Sequence, residues 1–169
     1  MSDRTLGILG LGRIGGAVAR IGSAFGMKVI AWSQNLTAQH AAEAGATAVS
    51  KEELFTRADI LTIHTLLSRR TRRLVDEAMI ARMKSDAWLI KTSRGPIVDE
   101  GALIETLGAQ RIGGYAVHVF AEEPLPLAHP FRTLPNVLAT PHIGYVAEDL
   151  YRTFYGDSAR AIAGWLGQT

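Results

Sequence analysis

The 169-residue chain contains no cysteine. That excludes a disulfide framework and thiolate catalysis, and it suits a reducing cytoplasm. No apolar run approaches the ~18–20 residues that span a bilayer. Met1-Ser-Asp-Arg4 carries none of the hydrophobic stretch of a secretory signal. Excess charge is scarce as well. Eighteen Lys and Arg against sixteen Asp and Glu leave a formal +2, too little to imply a nucleic-acid or membrane-surface partner. No spacing of His, Asp and Glu suggests a metal site, and there is no internal repeat, linker or low-complexity tract. The expectation is one domain spanning 1–169, cytoplasmic, with a sizeable core and no nucleic acid, membrane or metal as partner.

What is present begins at once. Leu6-Gly-Ile8-Leu9 reads as a short buried strand, and Gly10-x-Gly12-x-x-Gly15 follows it directly. Ala17 to Phe25 reads as a small-residue helix, and Val29-Ile-Ala-Trp32 as the next strand. This is the strand–glycine turn–helix–strand unit of about 30 residues that binds dinucleotides. Gly10 permits the tight turn, Gly12 lets backbone approach a pyrophosphate, and Gly15 lets the helix pack close to the strand. The helix N-terminus offers free N–H groups to phosphate, and Arg13 adds a guanidinium.

Short apolar segments then alternate with helical ones. A helix is expected at about 37–44 and a strand at Ala46–Val49. Ser50-x-x-Glu53 is a capping box opening a helix to about Arg57. Ile60–His64 reads as a strand, 76–83 as a helix and Ala87–Lys91 as a strand with Thr92-Ser-Arg94-Gly-Pro96 at its exit. Asp99 caps a helix to about 109. Ile112–Val119 is a strand, Phe120–Pro135 a proline-rich loop, Val137–Thr140 the last strand, and 146–166 an amphipathic helix. Alternation of this kind implies a Rossmann-type, doubly wound parallel sheet in three α/β/α layers.

Ligands of such sheets sit beyond the carboxyl ends of the strands. Those ends carry Gly10 and Gly12, Ser33 with Gln34, His64 with Thr65, Thr92-Ser93-Arg94, His118 with Glu123, and His142 with Gly144. All are candidate contacts of a cofactor or substrate. An arginine, a carboxylate and a histidine on one rim suit reduction of a 2-keto acid. Arg94 can clamp a carboxylate with two parallel hydrogen bonds. His142 can give or take the proton on the substrate oxygen, and Glu123 can hold that imidazole charged and oriented.

Gly10-x-Gly12-Arg-Ile-Gly15, Lys91-Thr-Ser-Arg-Gly-Pro-Ile-Val-Asp-Glu100, Val119-Phe-Ala-Glu-Glu-Pro124 and Thr140-Pro-His-Ile-Gly144 stand in order along the chain. In these motifs the sequence resembles the D-isomer-specific 2-hydroxyacid dehydrogenases over essentially its whole length. The resemblance implies Arg94 as substrate binder, Glu123 as support and His142 as acid/base. It implies Gly12, Arg13, Ile14, Thr65, Thr71, Thr92 and Arg94 as cofactor contacts, and a homodimer formed through cofactor domains. Glu123 rather than Gln separates the chain from the related formate dehydrogenases. The family's separate substrate-binding domain has no counterpart in this sequence, so cofactor binding with little or no turnover is expected.

Two positions depart from the family pattern. His118 stands where an Asp usually accepts from the nicotinamide carboxamide. Only a neutral imidazole has an acceptor nitrogen for that bond, so NADH affinity is expected to fall below pH 6 more steeply than in a His118→Asp variant. Ser33 stands where an acidic residue would hold the ribose 2′-OH, so NADP as well as NAD is admitted. Charge for a 2′-phosphate could come from Arg69, Arg70, Arg72 or Arg73. Other readings of these residues exist. The arginine run also reads as a solvated helix entry, and His64 as either a cofactor contact or a packed core histidine. His40 and His129 read as surface groups, and Trp32, Trp88 and Trp165 as core or interface residues. The competing function is a cofactor-sensing module of the same ancestry, as in the related transcriptional corepressors.

Overall fold

The computed structural model describes residues 1–167. Its strands are β1 (Thr5–Leu9), β2 (Lys28–Trp32), β3 (Thr47–Ala48), β4 (Ile60–Ile63), β5 (Trp88–Lys91), β6 (Gly114–Val117) and β7 (Val137–Ala139). Its α-helices are α1 (Arg13–Ala24), α2 (Ala38–Glu43), α3 (Lys51–Arg57), α4 (Glu77–Ile80), α5 (Glu100–Gly108) and α6 (Glu148–Trp165). Among the described residues the seven strands form one sheet in the order β3-β2-β1-β4-β5-β6-β7. Every pairing is parallel. The order reverses direction at β1, between β2 and β4, and such a switch point opens a crevice at the carboxyl edge.

Alternation along each strand divides the core between the two faces. Leu6 and Ile8 join Val29, Ala31, Ala19 and Ala41 under α1 and α2. Leu9 faces the other way and joins Ile30, Phe55, Leu61, Ile63, Leu89, Leu103 and Tyr115 under α3, α4 and α5. Short polar side chains set where the helices begin. Thr37, Ser50, Asp76 and Asp99 each accept a backbone N–H of the first turn, worth about 1 kcal/mol apiece. The Ser50–Glu53 pair forms the expected capping box.

Departures from the expected boundaries have local causes. Helix α1 starts at Arg13 rather than Ala17, because Gly15 and Gly16 sit on its buried, small-residue face instead of breaking it. The expected 76–83 helix shortens to a single turn, followed by a turn in which Met83 N–H reaches the Ile80 carbonyl. Strand β6 stops at Val117, and Phe120 N–H turns away to Glu123. His129 is not a surface group. It is mostly buried, accepts from Phe131 N–H and lies 3.2 Å from Glu100. Helix α6 forms as expected but buries no residue, and Trp88 and Trp165 are exposed.

Candidate functional site

The glycine turn leaves β1 with Gly10 at φ +102°, a conformation that side chains rarely adopt. A Cβ there would come within 2.8 Å of Thr65 N, and one on Gly15 within 2.2 Å of the Gly10 carbonyl oxygen. The turn is held from β2. Gly10 N–H donates to the Trp32 carbonyl at 2.8 Å, and Leu11 N–H donates to Ser33 Oγ at 2.7 Å. Ser33 therefore has a structural task beyond anything its sequence position suggested. Gly12 then precedes helix α1 with no side chain to cap it, and the first turn holds no acidic residue, so its N-terminal N–H groups suit an anion.

Beside the turn lies a cleft of about 370 Å³. It gathers Gly10, Gly12, Ser33, Gln34, His64, Thr65 and Thr71 of the expected cofactor contacts, and adds Trp32, Asn35 and Arg70. Thr71 Oγ1 bonds the Leu66 carbonyl at 2.6 Å and receives Ser68 N–H at 2.7 Å, which shapes the cleft's outer wall. His64 lines the cleft while its Nε2 lies 2.9 Å from Thr62 Oγ1, and burial lowers its pKa below the ordinary imidazole value. Of the four candidate arginines Arg70 lines the cleft, whereas Arg73 pairs with Asp99. Arg13 and Ile14 are exposed on the first turn of α1, and Gly15 is buried behind it.

The acid/base candidates assemble on the neighbouring part of the same edge. Glu123 Oε2 lies 3.0 Å from His142 Nδ1, and Glu123 Oε1 accepts Phe120 N–H at 2.9 Å. The hydrogen bond to His142 first, and the Phe120 N–H second, hold the Glu123 carboxyl below its ordinary range. Both residues line a groove of about 710 Å³ between the loop at Phe120–Phe131 and β7. Arg94 is exposed on the β5 exit loop, and its guanidinium makes no hydrogen bond among the described residues. That loop is pinned beside the Glu123 loop, since a Cβ on Gly95 would come within 2.5 Å of Ala121 Cα. Thr92 and His118 line a separate small recess with Thr140, and Ser93 Oγ is buried without a partner.

The sequence reading missed Lys91. It is only 1% exposed, its Nζ is 3.5 Å from the Gly95 carbonyl oxygen, and it lies over the Tyr115 ring. Burial pushes its pKa down to about 8, against the opposing pull of Glu100 and Glu123. Nothing but its place at the end of an apolar strand could have marked it.

Residues 1–144 match the family model of the D-isomer specific 2-hydroxyacid dehydrogenase NAD binding domain. The chain belongs to this family. It is 46% identical over 142 residues to a glyoxylate reductase of Aeropyrum pernix, covering 84% of this chain and 42% of that protein. It is 40% identical over 146 residues to a D-3-phosphoglycerate dehydrogenase of Synechocystis, covering 86% of this chain and 26% of that one. Among solved structures, a phosphoglycerate oxidoreductase from Vibrio cholerae superposes with a TM-score of 0.91 at 37% identity, over 99% of this chain and 54% of that one. A D-lactate dehydrogenase with NAD+ from Lactobacillus jensenii superposes with a TM-score of 0.83 at 32% identity, over 98% and 54%. The chain thus spans about half the length, or less, of the relatives it matches. Those matches give the corepressor-like alternative no support.

Proposed function

We propose that this chain is the dinucleotide-binding half of an oxidoreductase that interconverts 2-keto acids and D-2-hydroxy acids. The observation that carries the reading is the 3.0 Å Glu123–His142 pair set on the same sheet edge as a glycine-lined cleft. The cleft residues fit NAD. Gly10, Gly12 and the uncapped start of α1, with Arg13 and Ile14 exposed beside it, suit the pyrophosphate. Ser33 and Gln34 suit the adenosine ribose, and Thr65 and Thr71 the path toward the nicotinamide. When bound, the nicotinamide supplies or accepts the hydride. The chain's own residues manage the rest. His142 directs Nδ1 at Glu123, which leaves Nε2 for the substrate oxygen. In reduction it delivers a proton there, and in oxidation it takes one away. Glu123, its carboxyl held below the ordinary range, stays anionic while His142 cycles and keeps its Nδ1 oriented. The Arg94 guanidinium offers its paired N–H groups to the substrate carboxylate.

Finer features belong to the same proposal. Arg70, which lines the same cleft as Ser33 and Gln34, supports NADP as well as NAD, since no acidic residue lining that cleft repels a 2′-phosphate. Ile14, Ile21 and Phe25 are exposed along α1 at helical spacing, and we assign that stripe to a homodimer of cofactor domains. The bare face of α6, with exposed Phe154 and Ile162, is assigned to a substrate-binding domain that completes the site. A cytoplasmic location is proposed with the enzyme reading. The test is a titration of this chain with NADH and NADPH, read through Trp32, which lines the cleft. Saturable quenching is the expected result, and no binding of either dinucleotide overturns the reading.

A further inference from the structure

His118 is used from both sides of its ring. Gly144 N–H donates to Nε2 at 3.0 Å, and Nδ1 lies 3.0 Å from Thr140 Oγ1. Gly144 has only a donor to give, so Nε2 must carry the lone pair and Nδ1 the hydrogen. Nδ1–H then donates to Thr140 Oγ1, whose hydroxyl can donate onward to the Val117 carbonyl at 3.4 Å. The direction of every bond in this chain follows from that one backbone N–H.

The two partners of the imidazole are the two ends of a five-residue segment, Thr140-Pro-His-Ile-Gly144, with His142 at its middle. Thr140 is also fixed by its own N–H to the Val117 carbonyl at 2.9 Å, whereas among the described residues Gly144 is held by the ring alone. The fit is close. A Cβ on Gly144 would come within 2.9 Å of His118 Nε2. The His118 and His142 rings meet edge to face, with centroids 5.4 Å apart. With Nε2 committed to Gly144, a nicotinamide carboxamide could use it only by displacing that bond.

We propose that His118 is a positioning residue. In its neutral Nδ1–H form it clamps both ends of the Thr140–Gly144 segment and so holds His142 against Glu123. Protonation at Nε2 sets N–H against N–H and releases the Gly144 end. The charged and titratable groups facing the ring are Glu123, whose carboxyl His118 helps to hold below its ordinary range, and His142, whose ring meets it edge to face. Lys91 is its backbone neighbour on β5, through His118 N–H to the Lys91 carbonyl. The clamp therefore opens when the ring takes up a second proton, because Nε2–H can no longer accept from Gly144 N–H. Its value to catalysis rests on the reading of His142 as proton carrier, whereas its existence does not.

The experiment is NMR on the 169-residue chain itself, with no dinucleotide present. Ring ¹⁵N shifts at pH 8 should show His118 as the Nδ1–H tautomer. The Gly144 amide should be protected from hydrogen exchange at pH 8 and lose that protection in step with the His118 titration. His118→Ala should raise Gly144 exchange at least tenfold at pH 8. His118→Gln, whose amide oxygen can accept the same N–H without titrating, should keep protection down to pH 5. An Nε2–H tautomer, or Gly144 exchange indifferent to both substitutions, overturns the clamp. The tautomer measurement needs no variant, so a misfolded substitution does not spare the proposal. Failure of NADH to bind would sink the functional reading and leave the clamp standing.

Discussion

Lys91 offers the most direct check on the energetics beneath the site. Its ammonium is buried over Tyr115 with one long contact to the Gly95 carbonyl oxygen, and its pKa is pushed from the ordinary 10.5 down to about 8. Between those values the unfolded chain binds a proton that the folded chain has released. Stability must therefore rise with pH across that window. From pH 7 to pH 10 the gain works out to about 2–3 kcal/mol, at roughly 1.4 kcal/mol per pKa unit. Tyr115 sets the upper limit of a clean measurement. Burial raises its pKa well above the ordinary 10.0, so above that pH it acts in the opposite direction. The perturbation is Lys91→Met, which keeps the stem and removes the charge. Urea unfolding of both proteins at half-unit steps from pH 7 to pH 10 isolates the term, because every other group cancels in the difference. The variant starts ahead, since it no longer buries a charge, and the wild type closes the gap by about 2–3 kcal/mol. Two parallel profiles would refute the reasoning and place the Lys91 ammonium in contact with water.

Three further outcomes follow from other parts of the molecule. Arg70→Ala should weaken NADPH binding about tenfold, roughly the 1.4 kcal/mol of one charge-assisted contact, and NADH binding less than twofold; equal losses would remove Arg70 from the 2′-phosphate. At the opposite edge of the sheet, Asp59 accepts Thr5 N–H at 2.6 Å and Lys84 Nζ at 2.8 Å. Burial raises its pKa, but these bonds and Arg4 outweigh it and hold the carboxyl below its ordinary range. Asp59→Asn should cost about 2 kcal/mol at pH 7. The difference should fade as pH falls through the carboxylate range, because protonation then takes the same interaction from the wild type; a deficit constant from pH 7 to pH 3 would contradict this. For the α1 stripe, Ile21→Glu with Phe25→Glu should shift sedimentation from dimer to monomer with the melting temperature of the monomer unchanged, and a monomeric wild type would discard the interface.

The fold was legible because every level of the sequence agreed. Apolar runs set the strands, Ser50 and Asp99 set helix starts, and Gly10 and Gly15 stand where backbone geometry admits little else. The Glu123–His142 pair was legible through motif order rather than through spacing, since the two stand nineteen positions apart across a proline-rich loop. What stayed hidden depends on direction in space. Ser33 looked like an absent acid, and no pattern shows that its hydroxyl accepts Leu11 N–H from the glycine turn. His129 looked like a surface group until Glu100 was placed beside it. His118 looked like a substituted ligand, because a sequence lists its neighbours Val117 and Val119 but not Thr140 and Gly144. Helix α6 shows the converse. Its amphipathic pattern was read correctly, and periodicity says that a face is apolar without saying what covers it.

The exposure of the proton pair ties the site to that uncovered surface. His142 and Glu123 retain 39% and 36% of their side-chain accessibility. An ion pair so placed is screened by water and holds its partners weakly. A proton carrier for a carbonyl needs the reverse, a site from which water is displaced when substrate and nicotinamide meet. The geometry here is already drawn. Glu123 is tied to Phe120 N–H, the His142 segment is tied through His118, and the Arg94 loop is pressed against Ala121. Orientation is thus built into this chain, and on the proposed reading a surface closing over the groove beside β7 would supply the low dielectric that gives orientation its catalytic worth. Covering that groove lowers the local dielectric and strengthens the Glu123–His142 interaction that orients the imidazole.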